Sequence, residues 1–372
     1  MIVAKDKELK MLDKAASEFA KKQLAPEREE NDKFPFGPFF DSVLDKAFEL
    51  DFFHVVLPEA LEGMEQGTAA LAVILDNLCR EDSSLGGIVF TCAAAQQIMM
   101  EAGATDLLGE IVKAETVKAF LVGLPVFNNP AEVKHLAEAR PEGDGYLLSG
   151  KLDYMVLGGM AGHCLVPARI KGQDGYSYFL AQTGNKNITV SEPVLSLGLH
   201  ACPAVDMTFQ DCPGVLVGQA GLGDRYFNGM ADKFHVVAAA MAAGVMKGSF
   251  NEAFSYSKER VQGGQAIVNW SEMKMILSNM AIAIENADMI LTAAVAAVDN
   301  GTSGWERWSR AAALHIQAAA SEVTTDGIQV LGGAGYMKDF GQEKRFRDAR
   351  QIQSLLGMAP MKRIKFIEAL LK

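Results

Sequence analysis

The stretch that decides the fold is Asp326–Met337, DGIQVLGGAGYM, which is followed by the run RDAR at Arg347–Arg350. It begins inside a long segment with helical periodicity and ends in glycine-rich sequence. Gln329, Gly332 and Gly333 stand where the helical pattern stops. A pair of glycines in this place commonly ends a helix, because glycine adopts the left-handed backbone of a C-cap at no steric cost. By itself the glycine pair predicts only a helix end, and the information lies in the whole stretch.

A second informative segment is Ala253–Gly264, AFSYSKERVQGG. Arg260 stands in it at a predicted helix end, beside two glycines. There a guanidinium can meet a pyrophosphate with paired hydrogen-bond donors, while the glycines let the backbone approach the same ligand closely. The simpler interpretation is a positive charge near a helix C-terminus with glycine as the cap. The presence of the Asp326–Met337 stretch later in the same chain favours the pyrophosphate interpretation.

Both segments resemble motifs of the acyl-CoA dehydrogenases. The first is similar to that family's Gln-x-x-Gly-Gly turn and Arg-Asp-Ala run, and the second to its Tyr-x-x-x-Arg-x-Gln-Phe-Gly segment, with Gly263 in place of the phenylalanine. In the family these motifs hold the ADP half of an FAD that is bound mainly by the neighbouring subunit. The resemblance therefore implies FAD as the cofactor and six cofactor-binding residues: Arg260, Gln262, Gly264, Gln329, Gly332 and Gly333.

The periodicity of the apolar residues divides the chain into three parts. Helical spacing prevails up to about Ala119, a period of two prevails between about Phe120 and Val217, and helical spacing returns at Gly223. We predict an α+β fold with an N-terminal helical domain (residues 1–119), a middle antiparallel β-domain (120–220) and a C-terminal helix bundle (221–372). This order resembles the acyl-CoA dehydrogenase fold over nearly the whole chain. The long helices of the bundle are predicted near residues 228–258, 269–299 and 305–331.

Composition excludes several classes of protein. The formal net charge of −11 offers no basic surface for nucleic acid. The longest apolar run, Val236–Met246, is about half as long as a bilayer span requires, so no membrane helix is expected. The N-terminal residues lack the pattern of a secretory signal, which favours a cytoplasmic location. The five cysteines form no Cys-x-x-Cys pair and are predicted to be reduced, mostly buried thiols with no metal site.

The middle of the chain departs from the family pattern. The family's Thr-Glu-Pro-x-x-Gly-Ser-Asp segment, whose hydroxyls and amides contact the flavin ring, corresponds here to Leu124–Ala131, LPVFNNPA. The next strand that contacts the flavin, aromatic-Ile-Thr/Ser-Asn, corresponds to Tyr154–Leu157, YMVL. The expected side-chain donors are missing in both places, and only Tyr154 retains a ring that can stack.

The position of the catalytic base is also altered. The family's Glu-Gly-Thr motif, whose glutamate is the base, corresponds to Leu356, Gly357 and Met358. Loss of a general base typically lowers a rate by a factor on the order of 10² to 10⁴. Some family members carry the glutamate where this chain has Phe234. Its neighbours Asp232 and His235 are candidates for a surrogate base, against an ordinary role on the helix surface or in ligand contact, so the catalytic residue stays unassigned.

The motif residues that this chain has lost and those that it has retained belong to two different parts of the cofactor site. The residues that would hold a subunit's own flavin ring and supply its base are replaced, whereas those that a subunit lends to its neighbour's FAD are retained. We therefore hypothesise a subunit of an FAD-dependent acyl-CoA dehydrogenase that completes the FAD site of a homologous, base-bearing partner. It would resemble the heteromeric acyl-CoA dehydrogenases of steroid side-chain breakdown. The replacements are at Leu124, Pro130, Val156, Leu356 and Met358.

The resemblance further implies an acyl-CoA thioester as substrate and an electron-transferring flavoprotein as electron acceptor. Two alternatives remain open on the sequence. One is a homo-oligomeric FAD enzyme whose chemistry needs no proton abstraction. The other is a non-catalytic acyl-CoA-binding or scaffold protein that has kept the fold.

Overall fold

The computed structural model describes residues 7–34, 40–143 and 145–371, and its first part is helical. Helices α4 and α5 are buried along most of their length and form the centre of this part. Asp82 lies between them and caps α5, because its side chain accepts a hydrogen bond from the Ser84 N–H at 2.8 Å. The helices are α1 (Lys7–Phe19), α2 (Arg28–Asn31), α3 (Phe40–Glu49), α4 (Gly67–Glu81), α5 (Ser83–Glu101), α6 (Thr105–Val112) and α7 (Val117–Phe120).

The middle part is a closed β-barrel with its own apolar core. Five strands form the ring in the order β4, β2, β3, β7, β5 and back to β4, while β1 and β6 pair with β4 and β7 from outside it. Closure removes the exposed edges that an open sheet would present. The strands are β1 (Val122–Gly123), β2 (Ala137–Glu142), β3 (Gly145–Val156), β4 (His163–Ile170), β5 (Ser177–Gln182), β6 (Ile188–Val190) and β7 (Ala204–Val217).

The pairing within the barrel is more mixed than an antiparallel sheet. Most neighbours are antiparallel, as predicted, but β4 runs parallel to both β1 and β2. Direction cannot alternate all the way round a closed ring with an odd number of strands. At least one neighbouring pair in the five-strand ring must therefore be parallel, and the β2–β4 pair fills that place.

The last part is a bundle of long helices that agrees with the predicted segments to within a few residues. The alanine-rich run Val237–Gly244 is wholly buried in α8. Glycine is required there, because a Cβ atom at Gly244 would lie 2.3 Å from the backbone oxygen of Asp76 on α4. The elements are α8 (Gly223–Glu259), β8 (Val261–Gln262), β9 (Gln265–Ala266), α9 (Ser271–Asp299), α10 (Trp305–Leu331), α11 (Gln342–Ile352) and α12 (Ala359–Leu371).

Helices α8 and α10 run in the same direction. In the N-terminal half of each helix, the Val236 N–H donates a hydrogen bond to Ser309 Oγ at 3.0 Å. Further along, a Cβ atom on Gly327 would lie 2.2 Å from Ser249 Oγ, so the two helices remain in close contact. The C-termini of α8 and α10 therefore lie at the same end of the bundle.

Helix α9 is unusual in the apolar character of its outer side. It is the one helix in the described ranges that is long and apolar enough to cross a membrane, with a mean hydropathy of 1.6 over its most apolar window. Only 28% of that window is buried, although α9 packs against both α8 and α10. Core helices of soluble bundles pass the same test. Its exposed apolar residues recur every seven positions: Met275, Ile282 and Met289.

A buried ion cluster joins all three parts of the chain. The Lys344 ammonium on α11 lies 3.2 Å from an Asp82 carboxylate oxygen and 2.7 Å from one of Asp348. Asp348 in turn accepts a hydrogen bond from the Leu199 N–H in the barrel at 2.8 Å. Burial alone would lower the pKa of Lys344, but the two carboxylates raise it above its ordinary value. The lysine is therefore charged and holds α5, α11 and a barrel loop together.

Replacing Lys344 with methionine should destabilise the fold. The substitution leaves two buried carboxylates without their cation, and such a loss typically costs about 3–5 kcal/mol. We expect the apparent Tm of Lys344→Met, measured by circular dichroism, to fall by several degrees. Lys22→Met removes only an exposed pair with Glu18 and serves as the control. Equal melting temperatures for the two variants would contradict the role given to Lys344.

Candidate cofactor site

The six predicted cofactor-binding residues lie at one end of the C-terminal bundle. Arg260 follows α8, and Gln329 lies in the last turn of α10. Because these helices are parallel, the structure brings their C-terminal ends to the same side of the molecule. All six residues are exposed: Arg260, Gln262, Gly264, Gln329, Gly332 and Gly333.

A short β-hairpin carries half of these residues. Strands β8 and β9 are joined by Gly263 and Gly264, whose φ angles are +64° and +86°. Two central residues at positive φ are the pattern of a type I′ turn, which strongly favours glycine. The hairpin is anchored at its base, where the Ile267 N–H donates to the Arg260 carbonyl at 2.9 Å. Its outward presentation of Arg260 and Gln262 is therefore fixed by the backbone.

The Arg260 guanidinium is exposed and has no hydrogen bond or ion pair to any residue in the described ranges. Some other arginines are engaged, as in the Arg310 pair with Asp232 at 2.6 Å, whereas Arg169, Arg225 and Arg363 are exposed like Arg260. Five N–H donors in a planar fork suit a diphosphate. The arrangement thus leaves Arg260 available to a ligand or to another chain.

The glycines around α10 separate into explained and unexplained positions. Gly332 caps the helix at φ +59°, where any side chain would be strained. Gly333 does not have a positive φ, and a Cβ atom on it would have nothing within 4 Å. The described part of the chain therefore gives no reason for glycine at position 333. Close approach of a ligand or a second chain would give one.

The place expected for this chain's own flavin ring is closed. Leu124 and Val156 exchange backbone hydrogen bonds at 3.1 and 3.3 Å. The Leu356 N–H donates to the Val126 carbonyl at 2.9 Å, which joins the C-terminal helices directly to the barrel entry. All four side chains are buried. The residues present therefore do not fit a flavin ring between them.

Tyr154, the remaining candidate for ring stacking, is engaged within the chain. Its ring meets Phe127 edge-on, with centroids 5.4 Å apart. Its hydroxyl accepts a hydrogen bond from Gln351 Nε2 at 2.8 Å and is also bonded to Ser196. Tyr154 and Leu356 have φ angles of +60° and +61°, which are unfavourable for side chains. The closed cleft is thus held in a strained conformation by its own contacts.

The base position borders a small cavity. Leu356 is 5% exposed and lines a space of about 20 Å³ together with Asp232 and His235. That volume suits about one water molecule, whereas ligand pockets measure about 300–1,000 Å³. Both surrogate-base candidates therefore lie beside Leu356, but an acyl chain has no room there.

The environment of these two candidates is that of a packed interior. Burial raises the pKa of Asp232 while its ion pair with Arg310 opposes the rise. Burial, with a further contribution from the positive charge of Lys362, holds the pKa of His235 well below its ordinary value. Phe234 points into the core and meets Phe90 at 5.6 Å between ring centroids. These contacts give each residue a structural role. Neither Asp232 nor His235 is therefore assigned as the catalytic base.

Sequence reasoning missed Lys362, which lines the same cavity. Burial lowers its pKa to about 7, and its ammonium donates to the Gln353 carbonyl at 3.1 Å. Nothing in the local sequence distinguishes it, since Arg363 and Lys365 lie beside it on α12.

Two replaced motif positions remain to be placed, and they differ in exposure: Pro130 is buried and Met358 is exposed.

Family models match both helical ends of the chain. The N-terminal domain of acyl-CoA dehydrogenase matches residues 6–108, and the C-terminal domain of acyl-CoA dehydrogenase matches residues 223–371. The chain belongs to the acyl-CoA dehydrogenase family. Members of this family are FAD-dependent, and the predicted fold class is confirmed.

Individual relatives cover almost the full length. The chain is 26% identical over 362 residues to the probable acyl-CoA dehydrogenase FadE25 of Mycobacterium tuberculosis, covering 95% of this chain and 92% of that one. It is 25% identical to the caffeyl-CoA reductase-Etf complex subunit CarC of Acetobacterium woodii, covering 98% of each chain. The butyryl-CoA dehydrogenase structure from Megasphaera elsdenii superimposes with a TM-score of 0.86 at 21% identity and covers 99% of both chains.

Placing the family's glutamate at position 356 should not create an active site. Leu356→Glu would bury a carboxylate in the closed cleft, so we expect a lower apparent Tm and no flavin in protein purified with excess FAD. Leu356→Met changes little volume and is the control, with an expected cost under about 1.5 kcal/mol. Stoichiometric flavin in Leu356→Glu, bleached by an acyl-CoA, would show that the cleft opens readily and would contradict the description above.

Proposed function

We propose that this chain is a subunit of an FAD-dependent acyl-CoA dehydrogenase and completes the FAD site of a base-bearing partner subunit. The observation that carries the proposal is a contrast between two regions of this chain, the one that would contact the diphosphate of FAD and the one that would hold its flavin ring. Arg260 is exposed and unengaged beside an open hairpin, whereas the cleft at Leu356 and Val126 is closed by a direct backbone hydrogen bond. A subunit of this kind contributes diphosphate contacts to FAD, which supplies the redox chemistry when bound. The flavin-ring contacts and the base would come from the partner.

The contrast also favours an unlike partner. A second copy of this chain would present the same Arg260 surface and the same closed cleft. Two copies could therefore offer diphosphate contacts to each other but no place for the ring. This argues against the homo-oligomeric FAD enzyme. A homologous subunit that retains the ring contacts and the glutamate would supply what this chain lacks.

The exposed apolar stripe on α9 supports association with another chain. Met275, Ile282 and Met289 are separated by seven residues and are all more than half exposed, between 54% and 68%. Seven-residue spacing of apolar side chains is typical of helices that pack against a partner helix. The stripe lies on the helix that follows the Arg260 hairpin, so association along α9 would bring a partner close to that hairpin.

The electron acceptor and the substrate follow from the family. A relative is named as a subunit of a caffeyl-CoA reductase-Etf complex, which supports an electron-transferring flavoprotein as the acceptor here. The partner's substrate would be an acyl-CoA thioester that undergoes α,β-dehydrogenation. We place the complex in the cytoplasm, as expected from the sequence.

A non-catalytic scaffold is the competing proposal, and the closed cleft fits it equally well. Two features speak against it. A scaffold has no use for an arginine held beside two glycines in a motif suited to a diphosphate, and it has no use for glycine at position 333, where a side chain would meet nothing within 4 Å. Both features are accounted for by a neighbouring cofactor.

Replacing Arg260 with alanine should weaken FAD binding to the complex without dissociating it. The test uses this chain co-expressed with a homologous, base-bearing subunit from the same organism. Loss of a charge-assisted diphosphate contact costs about 1.5–3 kcal/mol, so we expect FAD affinity to fall by about tenfold to a hundredfold. FAD per complex is measured by absorbance, and assembly by size-exclusion chromatography.

Two control variants make this result specific. Arg169→Ala removes the same charge from an exposed position on the barrel and should leave FAD affinity unchanged. Ile282→Glu introduces a charge into the apolar stripe and should weaken assembly itself. If Arg260→Ala keeps full FAD affinity in an intact complex, this chain does not complete the cofactor site.

A further inference from the structure

The small cavity beside the base position has an excess of positive charge in its lining. Two ion pairs border it, and the charges cancel within each pair. Arg310 pairs with Asp232 at 2.6 Å, and Lys365 pairs with Glu132 at 2.8 Å. Lys362 also lines the cavity, but it has no carboxylate partner among the described residues. With Lys362 protonated, the lining carries one uncompensated positive charge, which one monovalent anion would neutralise.

The Lys362 side chain is surrounded by neutral groups. Its Nζ donates to the Gln353 carbonyl at 3.1 Å and to Gln317 Oε1 at 3.4 Å, and the residue is only 3% exposed. An ammonium has three N–H donors, so these two acceptors leave one donor unused. Buried charges in proteins are normally paired with an opposite charge. The described residues thus satisfy most of the hydrogen bonds of Lys362 but none of its charge.

Two other residues of the lining have buried nitrogen atoms without a hydrogen-bond partner among the described residues. They are His235 Nδ1 on α8, in a side chain that is 4% exposed, and Arg310 Nε on α10. A guanidinium Nε is always a donor, and a neutral imidazole retains one N–H. Buried polar atoms without partners are rare and require an explanation. Together with Lys362 on α12, donors from three helices surround one small space.

We propose that the cavity between α8, α10 and α12 is a binding site for a monovalent anion the size of chloride, held by Lys362, His235 and Arg310. The space of about 20 Å³ suits one water molecule, and a chloride ion is only slightly larger. A phosphate or an organic acid does not fit. A water molecule would accept hydrogen bonds there but would leave the charge of Lys362 uncompensated. The bound anion connects α12 to the two long helices beneath it, and this role is independent of the proposed function.

Anion binding at this site depends on pH through Lys362. Burial lowers the pKa of Lys362 to about 7, and the anion binds the protonated form. The affinity is therefore fully present below about pH 7 and is lost as the pH rises above it. Burial holds the pKa of His235 well below its ordinary value, so this residue stays neutral and contributes an N–H. We expect the apparent affinity to fall about thirtyfold between about pH 6 and about pH 8.5.

The test measures the apparent Tm of the full chain by intrinsic fluorescence while sodium chloride replaces sodium gluconate at constant ionic strength. Gluconate is too large for the cavity. Above the dissociation constant, each tenfold increase in chloride at about pH 6 should raise the Tm by about 2–4 °C. Lys362→Met removes the charge and should abolish this rise. Arg363→Met removes an exposed charge from the next position on α12 and should leave the rise unchanged.

Crystals grown in sodium bromide give a second measurement that does not depend on the stability of a variant. Anomalous scattering should place one bromide beside Lys362 Nζ in the wild-type chain. Equal melting temperatures in chloride and gluconate at about pH 6 would overturn the inference, because the cavity would then contain only water. An equal chloride response in Lys362→Met, or bromide bound only at surface positions, would overturn it as well.

Discussion

The arrangement of the whole molecule depends on one buried cation. Lys344 on α11 lies between Asp82, which caps α5, and Asp348, which holds the backbone of the barrel at Leu199. No one of these contacts is strong after the cost of burying charge is taken into account. Together they fix the position of α11 relative to the other two parts of the chain. The segment that leaves α11 then brings Leu356 against Val126, so the ion cluster sets the geometry that closes the cleft.

The closed cleft and the exposed hairpin are complementary features of the same chain. Apolar replacements allow the barrel entry and the C-terminal helices to meet directly, as in a hydrophobic core. At the far end of the bundle, Arg260 has no hydrogen bond or ion pair in the described ranges, and a side chain at position 333 would meet nothing within 4 Å. The first region needs nothing further to be stable. The second offers groups to a neighbouring molecule, which is the basis for proposing a subunit with a function in a neighbour's site.

Much of this could be predicted from the sequence, because it depends on local patterns. The helix bounds of α9 and α10 follow from periodicity and glycine punctuation, and the replaced positions follow from the correspondence of the chain with the family's motifs. Other features depend on contacts between distant segments. The parallel β2–β4 pair follows from ring closure, and the ion pair of Lys344 with Asp82 joins residues that are 262 positions apart. The low pKa of Lys362 arises from burial by several helices, which no local pattern reveals.

The central claim is that this chain contributes half of a cofactor site and cannot use FAD alone. Its most direct test is the number of FAD molecules per chain, measured by flavin absorbance in this protein purified alone and in its complex with a base-bearing homologous subunit. The account predicts no stoichiometric FAD in the isolated chain and one FAD for each pair of unlike chains in the complex. One FAD per chain in the isolated protein would contradict it, because the closed cleft would then have to open for a flavin ring.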